Sequence, residues 1–116
     1  MIINRGDIFL ASLDPVIGHE ISKTRPVIVV SNDISNKHSG TVTIIPVTSQ
    51  HLKKIYPFEV YISSETSQLE KKSKGKADQI RTIDKARLIK PLGKLTSDQM
   101  EILDQAIRVH LYLEMQ

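Results

Sequence analysis

The side chains best suited to chemistry in this sequence are an arginine, a threonine and a histidine near the ends of predicted elements. Arg25 ends a polar loop and begins the apolar run PVIVVS, and its planar guanidinium can bind a phosphate through parallel hydrogen bonds. Thr48 closes the run TVTIIPVT, where its hydroxyl can donate to a phosphoryl oxygen. His19 lies in the loop before Arg25, where an imidazole can exchange a proton with a reacting group. Side chains of these types can bind a phosphate and exchange a proton beside it.

Each of these residues also has an ordinary structural interpretation. An arginine before a strand is more often a surface residue, a threonine is common at strand ends, and a lone loop histidine is usually only solvated. Asp78, in the segment KADQIR, fits an ion pair with Lys76 or Arg81 as well as it fits a catalytic role. Residue type and position alone therefore leave the catalytic interpretation open.

Composition narrows the class of protein. The 116 residues are 40% apolar and 25% charged, which predicts one globular domain over residues 1–116. Because the sequence has no cysteine and its histidines lack the paired spacing of metal ligands, we expect no disulfide, no bound metal and no cofactor. No apolar run approaches the roughly 20 residues of a membrane-spanning helix, and residues 1–7 lack a signal-peptide core. We therefore expect a cytoplasmic protein without a membrane partner.

The net charge of +3 fits a protein that binds a polyanion. Cationic side chains concentrate in the second half of the chain, where lysines recur from Lys53 to Lys76 and further lysines and arginines follow as far as Lys94. The same distribution is equally typical of a solubilising surface, so charge alone does not identify a partner.

Hydrophobic periodicity predicts a series of short strands followed by one helix. The predicted strands are residues 6–13, 25–31, 41–48, 58–62, 76–83 and 87–92. The β-branched run after Arg25 predicts a central strand buried on both faces, and Pro46 marks an edge or a bulge. Thr96 and Gln99 have the spacing of a capping box, which begins a helix over about residues 97–114.

The connecting segments are polar. Residues 16–24 form a loop long enough to be functional in so small a domain, and residues 32–39 form a turn or a single helical turn. Residues 63–74 form a lysine-rich connection. Five or six strands followed by one helix predict an antiparallel barrel or curled sheet with the helix packed against it.

Three segments of the sequence resemble the MazF/PemK family of toxin endoribonucleases. They are RGDIFLASLDPVIGHEISKTRPVIVVSND at residues 5–33, IPVTSQ at 45–50 with YPFEV at 56–60, and ADQIRTIDKARL at 77–88. Their order and spacing match the family over most of the chain, which makes the set far more specific than any one motif. The resemblance implies a mostly β, SH3-like barrel with a C-terminal α-helix, the fold of MazF, PemK and CcdB-type plasmid maintenance toxins, assembled as a homodimer.

The resemblance also implies a metal-independent, sequence-selective endoribonuclease whose substrate is single-stranded RNA or mRNA. In that reaction the ribose 2′-OH attacks the adjacent phosphorus and leaves a 2′,3′-cyclic phosphate and a 5′-OH end. It requires a base, an acid and donors to the non-bridging oxygens. A cognate antitoxin with an acidic disordered segment would inhibit the enzyme and form a DNA-binding complex with it.

By the same resemblance, the candidate catalytic residues are Arg25, Thr48, His19 and Asp78. Arg25 and Thr48 match the catalytic arginine and threonine of the family, whereas His19 and Asp78 match residues given proton-transfer roles in one branch of it. The candidate substrate-binding residues have side chains that can hold phosphates or read base edges: Glu20, Ser31, Asn32, Ser49, Gln50, Lys76, Gln79 and Arg81.

One segment departs from the family pattern. Where relatives often have an apolar strand before the Asp-Gln pair, this sequence has KKSKGK at residues 71–76, in which Gly75 is expected to weaken a strand. We therefore expect the neighbouring loop to differ in position, with an effect on cleavage specificity.

Two other classes of protein fit the same barrel. Toxins of the CcdB type bind DNA gyrase without catalysis and lack the arginine and threonine, so the presence of Arg25 and Thr48 favours the enzyme. The third interpretation is an SH3-like nucleic-acid-binding barrel without activity. An RNA cleavage assay separates that interpretation from the enzyme.

Overall fold

Seven strands and three helices form within residues 1–114, the part of the chain that the computed structural model describes, apart from the side chain of Thr66. The strands are β1 (Asp7–Ser12), β2 (Thr24–Val29), β3 (Thr41–Thr48), β4 (Glu59–Ile62), β5 (Ser73–Lys76), β6 (Arg81–Asp84) and β7 (Leu88–Lys94). The helices are α1 (Asp33–His38), α2 (Ser64–Ser67) and α3 (Ser97–Leu111). The prediction of a mostly β chain with a C-terminal helix is confirmed.

All the strands belong to one antiparallel sheet in the order β4-β5-β3-β2-β1-β7, and β6 pairs with a separate part of β3. The pairing of β3 with β6 ends at Ile44, and its pairing with β5 begins at Val47. Pro46 lies between these two segments and pairs with Val27 on its other side. The predicted edge or bulge at Pro46 is therefore a change of partner within a central strand, where a residue without an N–H is tolerated.

The central strand β2 is buried on both faces, as its β-branched run predicts. Val27, Ile28 and Val29 have no exposed surface. Ile28 packs in the apolar cluster that includes Leu103 of α3, whereas Val27 and Val29 belong to the cluster on the opposite face with Phe9. Two apolar layers thus hold β2 and the paired part of β3 rigidly, and residues at the ends of these strands have fixed positions.

The capping box of α3 is confirmed, since the Thr96 hydroxyl accepts from the Gln99 amide at 3.2 Å and the Gln99 side chain accepts from the Thr96 amide at 3.0 Å. The helix ends at Leu111, short of the predicted residue 114, because Tyr112 adopts the left-handed conformation (φ 56°, ψ 43°). No helix within the described residues is long and apolar enough to cross a membrane.

The prediction of one strand over residues 76–83 is wrong. A 3-10 turn over Ala77–Gln79 separates β5 from β6, and β5 begins inside the segment expected to be a polar connection, which also contains α2. Gly75 does not prevent this strand. The neighbouring side chains leave little room at this position, since a Cβ on Gly75 would lie 3.0 Å from Val60 Cγ1 and 3.2 Å from Ile28 Cδ1. The missing side chain instead lets β5 pack closely on the core.

Candidate active site

Arg25 and Thr48 line one cavity of about 1030 Å³ at the adjoining ends of β2 and β3. The register that pairs Val27 with Pro46 brings these two ends together. Other predicted site residues line the same cavity: Ser49, Gln50, Lys76 and Asp78. The structure thus brings together the two residues expected to contact the reacting phosphate and several of those expected to bind the substrate.

Two hydrogen bonds orient the half-buried guanidinium of Arg25. Its Nε donates to the Ser22 carbonyl at 2.8 Å and its Nη1 donates to the Val47 carbonyl at 3.4 Å. Nη2 makes no hydrogen bond within the described residues, so the outer part of the guanidinium can donate to a ligand. A donor held in place in this way can stabilise charge that develops on a phosphate oxygen.

The hydroxyl of Thr48 is positioned by its own turn. Its Oγ1 accepts from the Gln50 amide at 3.2 Å, and the residue is half-buried at the rim of the cavity. Because a hydroxyl that accepts one hydrogen bond still carries its own proton, Thr48 can donate to a second phosphate oxygen.

Another group of predicted residues lines a neighbouring cavity of about 320 Å³: His19, Glu20, Gln79 and Arg81. Ile21 and Asp78 line both cavities and so connect them. His19 is exposed in the loop between β1 and β2, where its imidazole is accessible to a ligand. The two groups of candidates therefore meet at Asp78.

Three of these residues hold the loop that carries His19. Gln79 accepts from the Ile21 amide at 3.2 Å and donates to the His19 carbonyl at 3.4 Å, which fastens the loop to the 3-10 turn. Glu20 accepts from the Ile17 amide at 2.6 Å. Arg81 donates to the Leu13 carbonyl at 3.2 Å, just before the loop begins. These contacts give the predicted substrate-binding residues a positioning role as well.

Asp78 forms an ion pair with Lys76, as one of its two interpretations predicts, but one of its oxygens makes no hydrogen bond in the part of the chain that the structure describes. Its Oδ1 is buried and makes no hydrogen bond within the described residues, and the Lys76 ammonium lies 3.8 Å away, beyond hydrogen-bond distance. Because Oδ1 is buried, a ligand in the cavity meets the exposed part of the carboxylate, whose side chain is 28% exposed. Asp78 can accept a proton or a hydrogen bond from a substrate hydroxyl.

Ser31 and Asn32 do not join the other candidates. They line a separate cavity of about 580 Å³. Asn32 caps α1 by accepting from the Ser35 amide at 2.8 Å, and Ser31 accepts from the Thr43 amide at 3.0 Å while donating to Asn36. The turn or single helical turn predicted for residues 32–39 is a helix of six residues, which Asn32 caps and Ser31 links to β3.

A buried cluster of charges beside Arg25 and Thr48 was not predicted. Glu59, on β4, accepts from Lys74 Nζ at 3.0 Å and from Lys76 Nζ at 2.8 Å, and its side chain is 1% exposed. The three residues line the large cavity. The available signal was the spacing of two between the lysines, which places them on one face of a strand, but residues 63–74 were interpreted as a connection.

The pKa of Glu59 reflects this environment. Burial raises the pKa, but hydrogen bonds from Lys76, from the Tyr56 amide and from Lys74 outweigh it and hold the pKa below its ordinary value. Glu59 is therefore a carboxylate at neutral pH. Because two ammonium groups surround this one carboxylate, the wall of the cavity has a net positive charge.

Two aromatic rings line the cavity next to this cluster. The rings of Tyr56 and Phe58 stack with their centroids 5.3 Å apart and their planes at 9°, and Lys54 Nζ lies 5.2 Å from the centroid of Tyr56. A small antiparallel sheet that presents an arginine, a threonine and a cationic wall to one cavity can bind a phosphate and stabilise charge on its oxygens.

Comparison with known families places the chain among proteins of one class. Residues 4–111 match the family described as the PemK-like, MazF-like toxin of type II toxin-antitoxin systems. The chain therefore belongs to the PemK/MazF toxin family. The resemblance drawn from its sequence motifs is confirmed.

Individual relatives agree with this assignment. The chain is 40% identical to Endoribonuclease MazF9 of Mycobacterium tuberculosis, with 96% of this chain and 98% of the relative covered. It is 39% identical to Endoribonuclease EndoA of Bacillus subtilis, with 97% of each covered. Among solved structures, MazF from Deinococcus radiodurans superposes with a TM-score of 0.83 at 26% identity, over 97% of this chain and 99% of that one. The predicted toxin fold is confirmed.

Proposed function

We propose that this chain is the toxin of a type II toxin–antitoxin pair and acts as a metal-independent, sequence-selective endoribonuclease on single-stranded RNA in the cytoplasm. The family supports the toxin role, and relatives named endoribonucleases over almost the whole length of the chain support RNA cleavage. The observation that carries the chemistry is the placement of Arg25 and Thr48 in one cavity, with unpaired donors.

In the proposed reaction the 2′-OH of the ribose attacks the adjacent phosphorus and the bond to the 5′-oxygen breaks. The products are a 2′,3′-cyclic phosphate and a 5′-OH end, and no water enters this step. Arg25 donates from its unpaired Nη2, and Thr48 from its hydroxyl, to the non-bridging oxygens as their charge increases. The two strand ends hold both donors before the substrate arrives, which reduces the reorganisation that the reaction requires.

The proton transfers are assigned to Asp78 and His19. Asp78 accepts the proton of the 2′-OH, supported by its partly exposed side chain at the junction of the two cavities. His19 donates a proton to the leaving 5′-oxygen, supported by its exposed position in the cavity that Asp78 shares. Ser49, Gln50, Gln79 and Arg81 contact the strand on either side of the scissile phosphate.

Two protein partners belong to this proposal. A homodimer would cover the strand edges and apolar surface that one small sheet leaves exposed. A cognate antitoxin would lay an acidic disordered segment across the cavity and pair its carboxylates with Arg25 and Lys76. Solved structures with similar folds include a MazE–MazF complex from Deinococcus radiodurans, at a TM-score of 0.77. A monomer in sedimentation at micromolar concentration would contradict the dimer.

The test is cleavage of a defined RNA by the purified protein, with sequencing of the 5′-OH ends. We expect cuts at one short motif and cyclic phosphate on the upstream fragment. A parallel supercoiling assay addresses the CcdB-type alternative, which the named relatives do not favour. Intact RNA together with inhibited gyrase would replace the proposal with that alternative. Binding without cleavage would replace it with a nucleic-acid-binding barrel.

A further inference from the structure

We infer that Glu59 is a positioning residue for RNA binding, which holds the ammonium group of Lys76 at the cavity wall as a ligand for one phosphate of the bound strand. The inference rests on the proposed function, because it concerns substrate binding at the same cavity. Lys74 has a different role: it fixes the loop over residues 49–58, which forms much of the cavity wall.

Both oxygens of Glu59 accept hydrogen bonds from the protein. Oε1 accepts from Lys74 Nζ at 3.0 Å and from the Tyr56 amide at 3.0 Å, and Oε2 accepts from Lys76 Nζ at 2.8 Å. Because the side chain is 1% exposed, water does not compete for these contacts. A buried carboxylate with three donors has one stable orientation, and the groups bound to it share that rigidity.

The two lysines differ in what remains available for a ligand. Lys74 is 4% exposed and donates to the Lys54 carbonyl at 3.2 Å as well as to Glu59. Lys76 is 23% exposed, and within the described residues its only hydrogen bond is to Glu59. Since an ammonium has three donors, Lys76 has donors left for a phosphate oxygen, whereas Lys74 is committed to the protein.

Lys74 and Glu59 together fasten the loop between β3 and β4. Glu59 accepts from the Tyr56 amide through its side chain, and its own amide donates to the Tyr56 carbonyl at 2.8 Å. Lys74 holds the Lys54 carbonyl two residues earlier. This loop carries His51, Lys53 and Tyr56 into the cavity lining. The buried cluster thus fixes the wall of the cavity and one of its free cationic donors together.

A phosphate is the ligand that this arrangement favours. Arg25 and four lysines line the cavity against the two carboxylates of Glu59 and Asp78, so the net charge of its lining is positive. The Lys76 ammonium also forms an ion pair with Asp78 Oδ1 at 3.8 Å, but this distance is too long for a hydrogen bond, so Lys76 keeps donors for a phosphate oxygen. Each phosphate neutralised by a lysine on a single strand contributes about 0.7 to the salt slope of binding.

The test measures binding of an RNA made uncleavable by one deoxyribose at the cut site, over a range of salt concentrations. Lys76→Met should make the slope of log Kd against log salt shallower by about 0.7. Glu59→Gln should produce the same change, because it releases Lys76. Lys37→Met is the matched control, since Lys37 is exposed at the end of α1 and lines none of the cavities described above, and its slope should equal that of the wild type.

The phosphate is identified by replacing the phosphates of the uncleavable RNA one at a time with uncharged methylphosphonates. At one position, the methylphosphonate should weaken RNA binding to the wild type. It should not weaken binding to Lys76→Met further, because that variant has already lost the contact with this phosphate. The double variant Glu59→Gln/Lys76→Met should have the same salt slope as Lys76→Met alone. On cleavable RNA, each single variant should raise KM, which reports the lost phosphate contact. A change in kcat does not bear on the inference, because the Lys76 ammonium lies 3.8 Å from Asp78 Oδ1.

Glu59→Gln leaves the buried Lys74 and the partly exposed Lys76 with a neutral partner. If this variant does not fold, the double variant Glu59→Gln/Lys74→Met replaces it. The inference is overturned if wild-type protein cuts RNA while Lys76→Met retains the wild-type salt slope, or if the folded Glu59 variant leaves KM unchanged. In both cases the proposed function stands. A wild-type protein that cuts no RNA overturns the proposed function and the inference with it.

Discussion

The guanidinium of Arg25 donates through Nη1 to the carbonyl of Val47, the residue before Thr48, at 3.4 Å. This contact couples the arginine at the start of β2 to the end of β3, so the two proposed phosphate donors depend on the same strand register. Their relative position is therefore as stable as the sheet itself, whose central residues have no exposed surface.

Arg25→Ala and Thr48→Ala should each lower kcat by a factor of about 10²–10³, since loss of one well-placed donor to a developing charge costs roughly 3–4 kcal/mol. Neither side chain is in the apolar core, so the melting temperature should stay close to that of the wild type. Single-turnover cleavage of a fluorescent oligonucleotide measures the effect, with Arg108→Ala on α3 as the control. A wild-type rate for either variant would exclude that residue from catalysis.

Replacement of the single ribose at the cut site by deoxyribose should abolish cleavage and largely preserve binding, because the proposed nucleophile is the 2′-OH of the substrate. EDTA should leave the rate unchanged. Gel electrophoresis and fluorescence anisotropy on the same oligonucleotide measure both properties. If the deoxy substrate is cut, the nucleophile is water or another group and the proposed mechanism is wrong.

The relative effects of His19→Ala and Arg25→Ala distinguish proton transfer from charge stabilisation. If charge stabilisation by Arg25 dominates, the histidine variant should lose less activity than the arginine variant, by at least a factor of 10. If protonation of the leaving oxygen is limiting, the histidine variant should lose more, because a positioned acid contributes about 10²–10⁴-fold. A substrate with a more acidic leaving alcohol tests the assignment, since it should restore only the His19 variant.

The Glu59 cluster should make stability depend on pH. Because the pKa of Glu59 is lowered in the folded protein, the unfolded state binds more protons near the ordinary value of 4.5. The stabilisation is then fully present above that pH and is lost as the pH falls through the folded pKa. Urea unfolding at pH 7 and pH 4 should show a smaller pH effect for Glu59→Gln than for the wild type. Equal pH dependence in the two proteins would contradict the shift.

Breaking the cluster should also destabilise the fold at neutral pH. Lys74→Met leaves the buried Glu59 with one of its ammonium partners missing, and removal of one member of a buried ion pair costs about 3–5 kcal/mol. Lys72→Met, on the exposed neighbouring lysine, should change the free energy of unfolding by less than about 0.5 kcal/mol. Denaturant titration of the two variants at pH 7 measures the difference. Similar midpoints would show that Lys74 does not stabilise the native state.

Local patterns predicted much of the fold. The β-branched run after Arg25 and the spacing of Thr96 and Gln99 are signals within one element, and the structure confirms both. The lysine-rich strand β5 was missed because its stability depends on pairing with β4, where Glu59 faces Lys76 and Tyr61 faces Lys74. Nothing in the local sequence shows that these lysines have a buried partner, so their charge predicted a solvated connection.

Sequence motifs predicted part of the candidate site. Arg25, Thr48 and Asp78 were found because motifs fix their positions in the sequence, and the structure places all three on one cavity. Ser31 and Asn32 belong to the same motif region but lie at a different cavity, because they follow the last residue of β2 whereas Arg25 is near its first. At about 3.3 Å per residue, the length of the strand separates the two ends.

Gly75 gives the electrostatics of the cavity an unexpected dependence on core packing. It lies between Lys74 and Lys76, and because side chains alternate along a strand, it faces Val60 and Ile28 while the two lysines face Glu59. A methyl group on the core side would require Val60, Ile28 or β5 itself to shift by a few tenths of an ångström. Any shift of β5 would move both ammonium groups relative to their carboxylate, so the positive charge at the cavity depends on close packing on the opposite, dry face of the strand.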